Sequence, residues 1–248
     1  MNETEVIEGD CLEVLRGFPN ETFDAVVTDP PYTAAGGSTN GRSEGHAADS
    51  QFFLHWLRAV WDELRRVTKP TGCAFVFCDW RTVGLLGQAV SPVLASSRPV
   101  AWRVSQALVW DREGMGMGNP FRNGYEMIAF ARGPDYRSTL PKDITNVIRH
   151  RWPYGGSGRV HGAQKPLELC QQLVRWACPQ GGIILDPFAG SGTTIEAAVT
   201  QGYKAVGIEL ESSYCKVARN RVANCSALLR PEPNHTAIES QQDRYAQL

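Results

Sequence analysis

Short apolar runs alternate with stretches of helical periodicity along most of the 248-residue chain, the pattern of an α/β sheet protein. Glu5-Val6-Ile7 reads as a strand ending at Gly9-Asp10, and Phe23–Thr28 as a second ending at Asp29. From Gln51 to Arg66 apolar residues recur at Phe53, Leu57, Val60 and Leu64, a helix stopped by Pro70 and Gly72. Cys73–Cys78, Gln106–Trp110 and Tyr125–Phe130 follow as strands, with GMGMGN at 114–119 joining the last two. Pro166 opens a helix with Leu169, Leu173 and Val174 inward, ended by Pro179 and Gly181-Gly182. Ile183–Leu185 is a strand, Thr193–Thr200 a helix, Ala205–Ile208 a strand, and Ser213 to about Leu229 a final helix. Residues 33–50 are rich in Gly, Ser and Asn and read as a mobile loop, and 230–248 as a flexible polar tail. Residues 131–163 are rich in Arg, Gly, Pro and Tyr, with little periodicity, and read as an insertion or recognition segment.

Composition narrows this further. No apolar segment approaches the ~20 residues of a membrane helix, so no membrane is expected as a partner. The acidic N-terminus lacks a basic region followed by an apolar core, so no secretory signal is expected. Seven cysteines without a CxxC pair read as reduced, buried thiols of a cytoplasmic protein, and the spacing of Cys and His offers no metal site. The net charge of −1 hides an asymmetry: residues 98–165 carry eleven Lys/Arg against five Asp/Glu, net +6, and the remainder −7. A phosphate-attracting face on a protein neutral overall is compatible with that split.

Two strand ends carry candidate chemistry. In GGIILDPFAGSGTTIEAA (181–198) a strand delivers Asp186, a turn follows, and a helix starts near Thr193. Gly190 and Gly192 let the backbone approach a ligand, and amides at the helix start favour an anion. The Walker lysine is absent, and GSGTTI departs from the dinucleotide GxGxxG at Ile195. About 20 residues on, Ala205–Ile208 ends in Glu209, a carboxylate suited to a ribose diol. The pair suggests an adenosine-type ligand bearing an anionic group. At the other strand end, Asp29-Pro30-Pro31-Tyr32 combines a carboxylate, two positions without amide donors and a flat ring. Such a site accepts hydrogen bonds and suits an NH2 group.

TDPPY followed downstream by DPFAGSGTT resembles the DNA amino-methyltransferases, which methylate N6 of adenine or N4 of cytosine using S-adenosylmethionine. The N-terminal DPPY and C-terminal DPFAGSGT resemble the permuted β group of that family, over most of residues 5–229. The resemblance implies a Rossmann-like methyltransferase fold: a mostly parallel seven-stranded sheet, helices on both faces and circularly permuted motif order. It implies one catalytic domain over 1–229, with 132–160 a small target-recognition insertion. Asp29, Pro30, Pro31 and Tyr32 match the catalytic motif. The Asp29 carboxylate and Pro30 carbonyl would accept the two amine hydrogens of a base flipped out of the duplex, with Tyr32 stacking on it. Cofactor contacts fall on Asp10 and Cys11, on Asp29, on Lys165 within HGAQKP, on Asp186, Phe188, Ala189, Gly190, Ser191, Gly192, Thr193 and Thr194, and on Glu209 and Leu210. Gly162 and Ala163 depart from the family's H-P-T-Q-K-P, which removes a hydroxyl contact there.

Double-stranded DNA is the partner so implied. Its candidate contacts are Arg42 and Arg122 with Arg137, Arg149, Arg151, Trp152 and Tyr154 of the insertion, where arginines interleave with aromatic rings. A homodimer and a cognate restriction enzyme are the further partners the family allows. DPPY favours adenine N6, with N4-cytosine the alternative, and an RNA methyltransferase or an inactive DNA-binding relative standing further off.

Overall fold

The protein's computed structural model describes residues 4–31, 50–90, 102–116, 118, 120–152 and 164–228. Tyr32, Arg42, Tyr154, the expected loop up to residue 49 and the 230–248 tail lie outside the described residues. Among the described residues eight strands form one sheet: β1 (Glu5–Glu8), β2 (Phe23–Thr28), β3 (Thr68–Cys78), β4 (Arg103–Asp111), β5 (Tyr125–Arg132), β6 (Val147–Arg149), β7 (Ile183–Asp186) and β8 (Lys204–Glu209). Their order is β1-β8-β7-β2-β3-β5-β4-β6. Only the pairings of β5 with β3 and β4 are antiparallel, so seven strands share one direction and β5 runs against them. The expected seven strands become eight through β6, a three-residue edge strand too short to leave a periodic trace in the sequence.

The helices among the described residues are α1 (Cys11–Arg16), α2 (Ser50–Val67), α3 (Thr82–Val90), α4 (Leu167–Ala177), α5 (Thr193–Val199) and α6 (Ser212–Leu228). Alternation along the central strands explains why both faces need cover. Cys73, Phe75 and Phe77 of β3 pack into a core shared with α4 and α5, whereas Ala74, Val76 and Cys78 pack into one shared with α1, α2 and α3. On α2, Phe53, Leu57, Val60 and Leu64 are all buried, as their spacing predicts. That helix ends at Val67 and runs straight into β3. Pro70 and Gly72 therefore interrupt the start of a strand, where the β2 register slips between Phe23↔Thr68 and Ala25↔Cys73. All seven cysteines are buried and free. Among the described residues, no helix is long and apolar enough to cross a membrane.

Connections leave β2 towards β3 on one side and β7 towards β8 on the other. The carboxyl ends of β2 and β7 thus flank the switch point of the sheet, where open α/β folds place their crevice.

Candidate active site

A cavity of about 610 Å³ opens over those carboxyl ends. Asp29, one residue beyond β2, Asp186 at the end of β7 and Glu209 at the end of β8 all line it. Thr28 Oγ1 donates to Asp186 Oδ1 at 2.7 Å, and the Phe188 amide donates to the same oxygen at 3.1 Å. Burial pushes the Asp186 carboxyl up to about 6, against the pull of these hydrogen bonds. Asp186 therefore ties β2, β7 and the turn after β7 together from inside.

Glu209 receives the Gly190 amide on Oε2 and the Glu211 amide on Oε1, both at 2.8 Å. A carboxylate has about four acceptor positions, so two remain for a diol. Gly190 has φ +52 and nothing within 4 Å of where a Cβ would sit, leaving its backbone open to the cavity. Gly192, at φ +85, would set a Cβ 2.8 Å from Ala218 Cβ and so packs against α6 instead. Asp10 Oδ1 caps α1 by accepting from the amides of Leu12 and Glu13 at 2.9 and 3.2 Å. Of the residues predicted to hold the cofactor, all but Gly192 line the cavity. Burial lifts the thiols of Cys11 and Cys170 on its wall to about 12, so neither is a nucleophile at neutral pH.

Two features of the site, Trp56 and Tyr214, were not anticipated; a third, Glu126, stands out in the sequence as an acid at a position that resembles one often acidic in the family, without a legible role. Trp56 of α2 lines the cavity with its ring 5.6 Å from that of Phe188 and 5.6 Å from that of Phe53, forming an aromatic wall. The spacing of Trp56 from Phe53 is helical and could have flagged it. Tyr214, in the first turn of α6, also lines the cavity. Glu126 stands near the start of the apolar strand YEMIAF, between exposed Tyr125 and half-buried Met127, and its partner explains it. Lys165 Nζ lies 3.0 Å from Glu126 Oε2 and 2.9 Å from Asp29 Oδ2. Burial alone would lower the Lys165 pKa, but the two carboxylates outweigh it and hold the ammonium above the ordinary lysine range. Arg112 Nη1 reaches Glu126 Oε1 at 3.6 Å.

The candidate DNA residues separate in space. β4 and β6 run parallel to β2, so Arg122 in the β4–β5 loop, and Arg149 and Arg151 at the end of β6, share the Asp29 end of the sheet. All three are exposed. Arg122 Nε donates to Gly116 O at 2.9 Å, and Arg149 pairs with Asp111 at 3.7 Å. Arg137 does not belong with them. Because β5 is reversed, the turn after it is pinned to the beginning of β3, with Gly133 N on Gly72 O and Asp135 N on Pro70 O. Arg137 therefore occupies the opposite end of the sheet from Asp29, which corrects its expected grouping with Arg149 and Arg151 as a DNA contact. Trp152 needs correction too. It is 8% exposed and stacked on Trp110 with centroids 5.4 Å apart, so its ring belongs to the core and is not presented to DNA. Tyr136 likewise packs inward, edge-on to Phe130.

Comparison with known proteins agrees with this layout. A sequence profile of the family described as DNA methylase matches residues 23–220. YubD of Escherichia coli (strain K12), provisionally named a methylase, is 30% identical over 220 residues, covering 88% of this chain and 89% of that protein. The DNA adenine methyltransferase YhdJ of the same strain is 27% identical over 243 residues, covering 88% of this chain and 82% of its own. Among solved structures, TTHA0409 from Thermus thermophilus, complexed with S-adenosyl-L-methionine, gives a TM-score of 0.66 at 27% identity, over 90% of this chain and 95% of that one. The PvuII cytosine-N4-specific DNA methyltransferase shares the fold at a TM-score of 0.67 and 14% identity, over 92% of each chain.

Proposed function

Because the chain belongs to the DNA methylase family, we propose that it transfers a methyl group from S-adenosylmethionine to the exocyclic N6 amine of adenine in double-stranded DNA. One arrangement carries this reading: Asp29, an acceptor for an amine, shares a single cavity with Glu209 and the open Gly190 turn. The amine acceptor thus lies beside a pocket fitted to a nucleoside-type methyl donor.

The residues present fit that donor. Glu209 would take the ribose hydroxyls on its remaining acceptor positions, the Gly190 turn would pass close to the ligand backbone, and Trp56 with Phe188 would line the apolar side. When bound, S-adenosylmethionine supplies a methyl group on a sulfonium sulfur, which leaves with the C–S electron pair.

The protein's own groups prepare the amine. The nitrogen lone pair of adenine N6 is conjugated into the ring and is a poor nucleophile. Asp29 and the Pro30 carbonyl would each accept a hydrogen bond from one N–H, drawing the nitrogen out of conjugation and turning its lone pair towards the methyl group, and after transfer the methylated nitrogen would release its surplus proton by way of Asp29 to solvent. Pro30 and Pro31 have no backbone N–H to compete for that role. Lys165 Nζ, 2.9 Å from Asp29 Oδ2, holds that carboxylate in place at the cavity. Tyr32 would stack on the flipped base, and Arg122, Arg149 and Arg151 would meet phosphates around it. The reading treats residues 1–229 as one catalytic domain, and a cytoplasmic location belongs to this reading alone.

The likeness to YhdJ over most of the chain supports adenine. N4 of cytosine presents the same kind of amine, and the fold shared with the PvuII enzyme keeps it as the second reading. Incubation with methyl-tritiated donor and unmethylated duplex DNA, followed by nucleoside mass spectrometry, separates them. N6-methyladenine is the expected product, and N4-methylcytosine alone overturns the adenine assignment.

A further inference from the structure

Glu126 has no part in the reading above, yet it sits at the centre of a chain of charges. Its Oε2 faces Lys165 Nζ at 3.0 Å and its Oε1 faces Arg112 Nη1 at 3.6 Å, while Lys165 reaches on to Asp29 Oδ2 at 2.9 Å. The side chains of Lys165, Arg112 and Glu126 are 8%, 13% and 15% exposed, so water screens the contacts among them little, while Asp29, 31% exposed, opens to the cavity. The outer end is anchored: the Arg112 guanidinium lies 4.1 Å from the Trp152 ring centroid, and Trp152 is stacked on Trp110 in the core.

We propose that Glu126 is a positioning residue for methyl transfer, setting through Lys165 the orientation and the accepting strength of the Asp29 carboxylate. The inference rests on the reading of Asp29 as the amine acceptor. Two anions and two cations alternate along the chain and cancel. Lys165 stands between two carboxylates at nearly equal distances, so its pull on Asp29 is shared. Neutralising Glu126 would give the ammonium wholly to Asp29, which would then accept the amine less well. Removing the Lys165 charge would have the opposite electrostatic effect, leaving Asp29 and Glu126 to repel across the same buried space. Glu126 is also the second residue of β5, next to the β4–β5 loop, so the loop at the DNA-facing rim is joined to the reacting centre through it.

The groups that act on Asp29 come from four elements. They are Lys165 just before α4, Glu126 on β5, Asp186 on β7, and the thiols of Cys170 on α4 and Cys78 on β3. Burial keeps both thiols protonated up to about 12.

The test measures methyl transfer to unmethylated duplex DNA against pH for the wild type, E126Q, E126D and K165M, with donor affinity by calorimetry and thermal melting in parallel. In E126Q, kcat should fall about tenfold to a hundredfold while donor affinity holds. The acid limb of kcat/KM should move to lower pH in E126Q and to higher pH in K165M, each by about one unit or more. E126D, which keeps the charge, should keep the wild-type limb. A merely structural role would lower activity without moving the limbs in opposite directions. Wild-type kcat in E126Q, or limbs that move the same way, overturns the proposal. If E126Q does not fold, an unmoved limb in K165M overturns it just as well. A wild-type protein that transfers no methyl group would instead bring down the functional reading on which this one stands.

Discussion

The backbone amide of Gly190 donates to Glu209 Oε2 at 2.8 Å, joining the turn after β7 to the end of β8. The bond fixes a carboxylate at the cavity wall while leaving acceptor positions for a ligand. Replacing Glu209 by Ala removes both the tether and the proposed diol acceptor. The dissociation constant for S-adenosylmethionine should rise about 10- to 100-fold, the scale of a lost pair of charge-assisted hydrogen bonds. Calorimetric titration reads this directly, and wild-type affinity in the variant would remove Glu209 from the donor site.

Gly192 and Gly181 both have positive φ, +85 and +77, but only Gly192 is crowded, by Ala218. Substitution by Ala at either position carries a backbone penalty of about 1–3 kcal/mol. Gly192→Ala adds the clash with α6 and should lower the melting temperature more than Gly181→Ala, by about 5 °C or more against the wild type. Equal melting temperatures for the two variants would show that packing against α6 is slack.

Asp186 makes stability depend on pH. Its folded pKa of about 6 exceeds the ordinary 3.8, so the folded chain holds this proton more tightly than the unfolded chain. The stability contributed by the protonated form is present below about pH 4 and is lost as pH rises through about 6. Asp186→Asn cannot titrate yet keeps an acceptor for Thr28 and Phe188. Urea unfolding should show the wild type losing on the order of 2–3 kcal/mol relative to Asp186→Asn across that window. A difference that stays flat with pH would contradict the buried carboxyl.

Arginines at the two ends of the sheet should behave differently towards DNA. Arg149→Ala and Arg151→Ala should each weaken binding and lower the salt dependence by about one phosphate contact. Arg137→Ala, at the far end, should leave DNA affinity unchanged. Trp152→Ala should cost about 3–5 kcal/mol of folding stability as a core truncation, with no specific effect on binding. Fluorescence anisotropy across a salt series, beside melting curves, separates these outcomes. A salt slope lowered by Arg137→Ala would return that residue to the DNA face.

What the sequence revealed, and what it hid, follows the range of the interactions. β2 could be bounded at Phe23 and Thr28 because it is covered on both faces and reads as an apolar run, interrupted only by Asp24, that closes at Thr28-Asp29. The glycine turn and Glu209 were visible because each strand end announces itself locally. α1 and β6, with six and three residues, are too short for periodicity, and the glycines in TVGLLGQAV weaken the helical pattern of α3. The positive stretch at 98–165 looked like one surface because reversal of β5 is not written locally. That reversal sends Arg137 to one end of the sheet and returns Arg149 and Arg151 to the other. The same long-range fold brings Lys165 to Glu126, 39 positions apart, which no motif in the chain foretold.

The central claim is that Asp29 accepts the amine of an adenine, and one comparison tests it most directly. Wild type and Asp29→Ala are incubated with methyl-tritiated S-adenosylmethionine and unmethylated duplex DNA, and donor binding by the variant is measured alongside. The account predicts N6-methyladenine from the wild type, and from Asp29→Ala no transfer with donor binding largely retained. Turnover that survives in Asp29→Ala would contradict it.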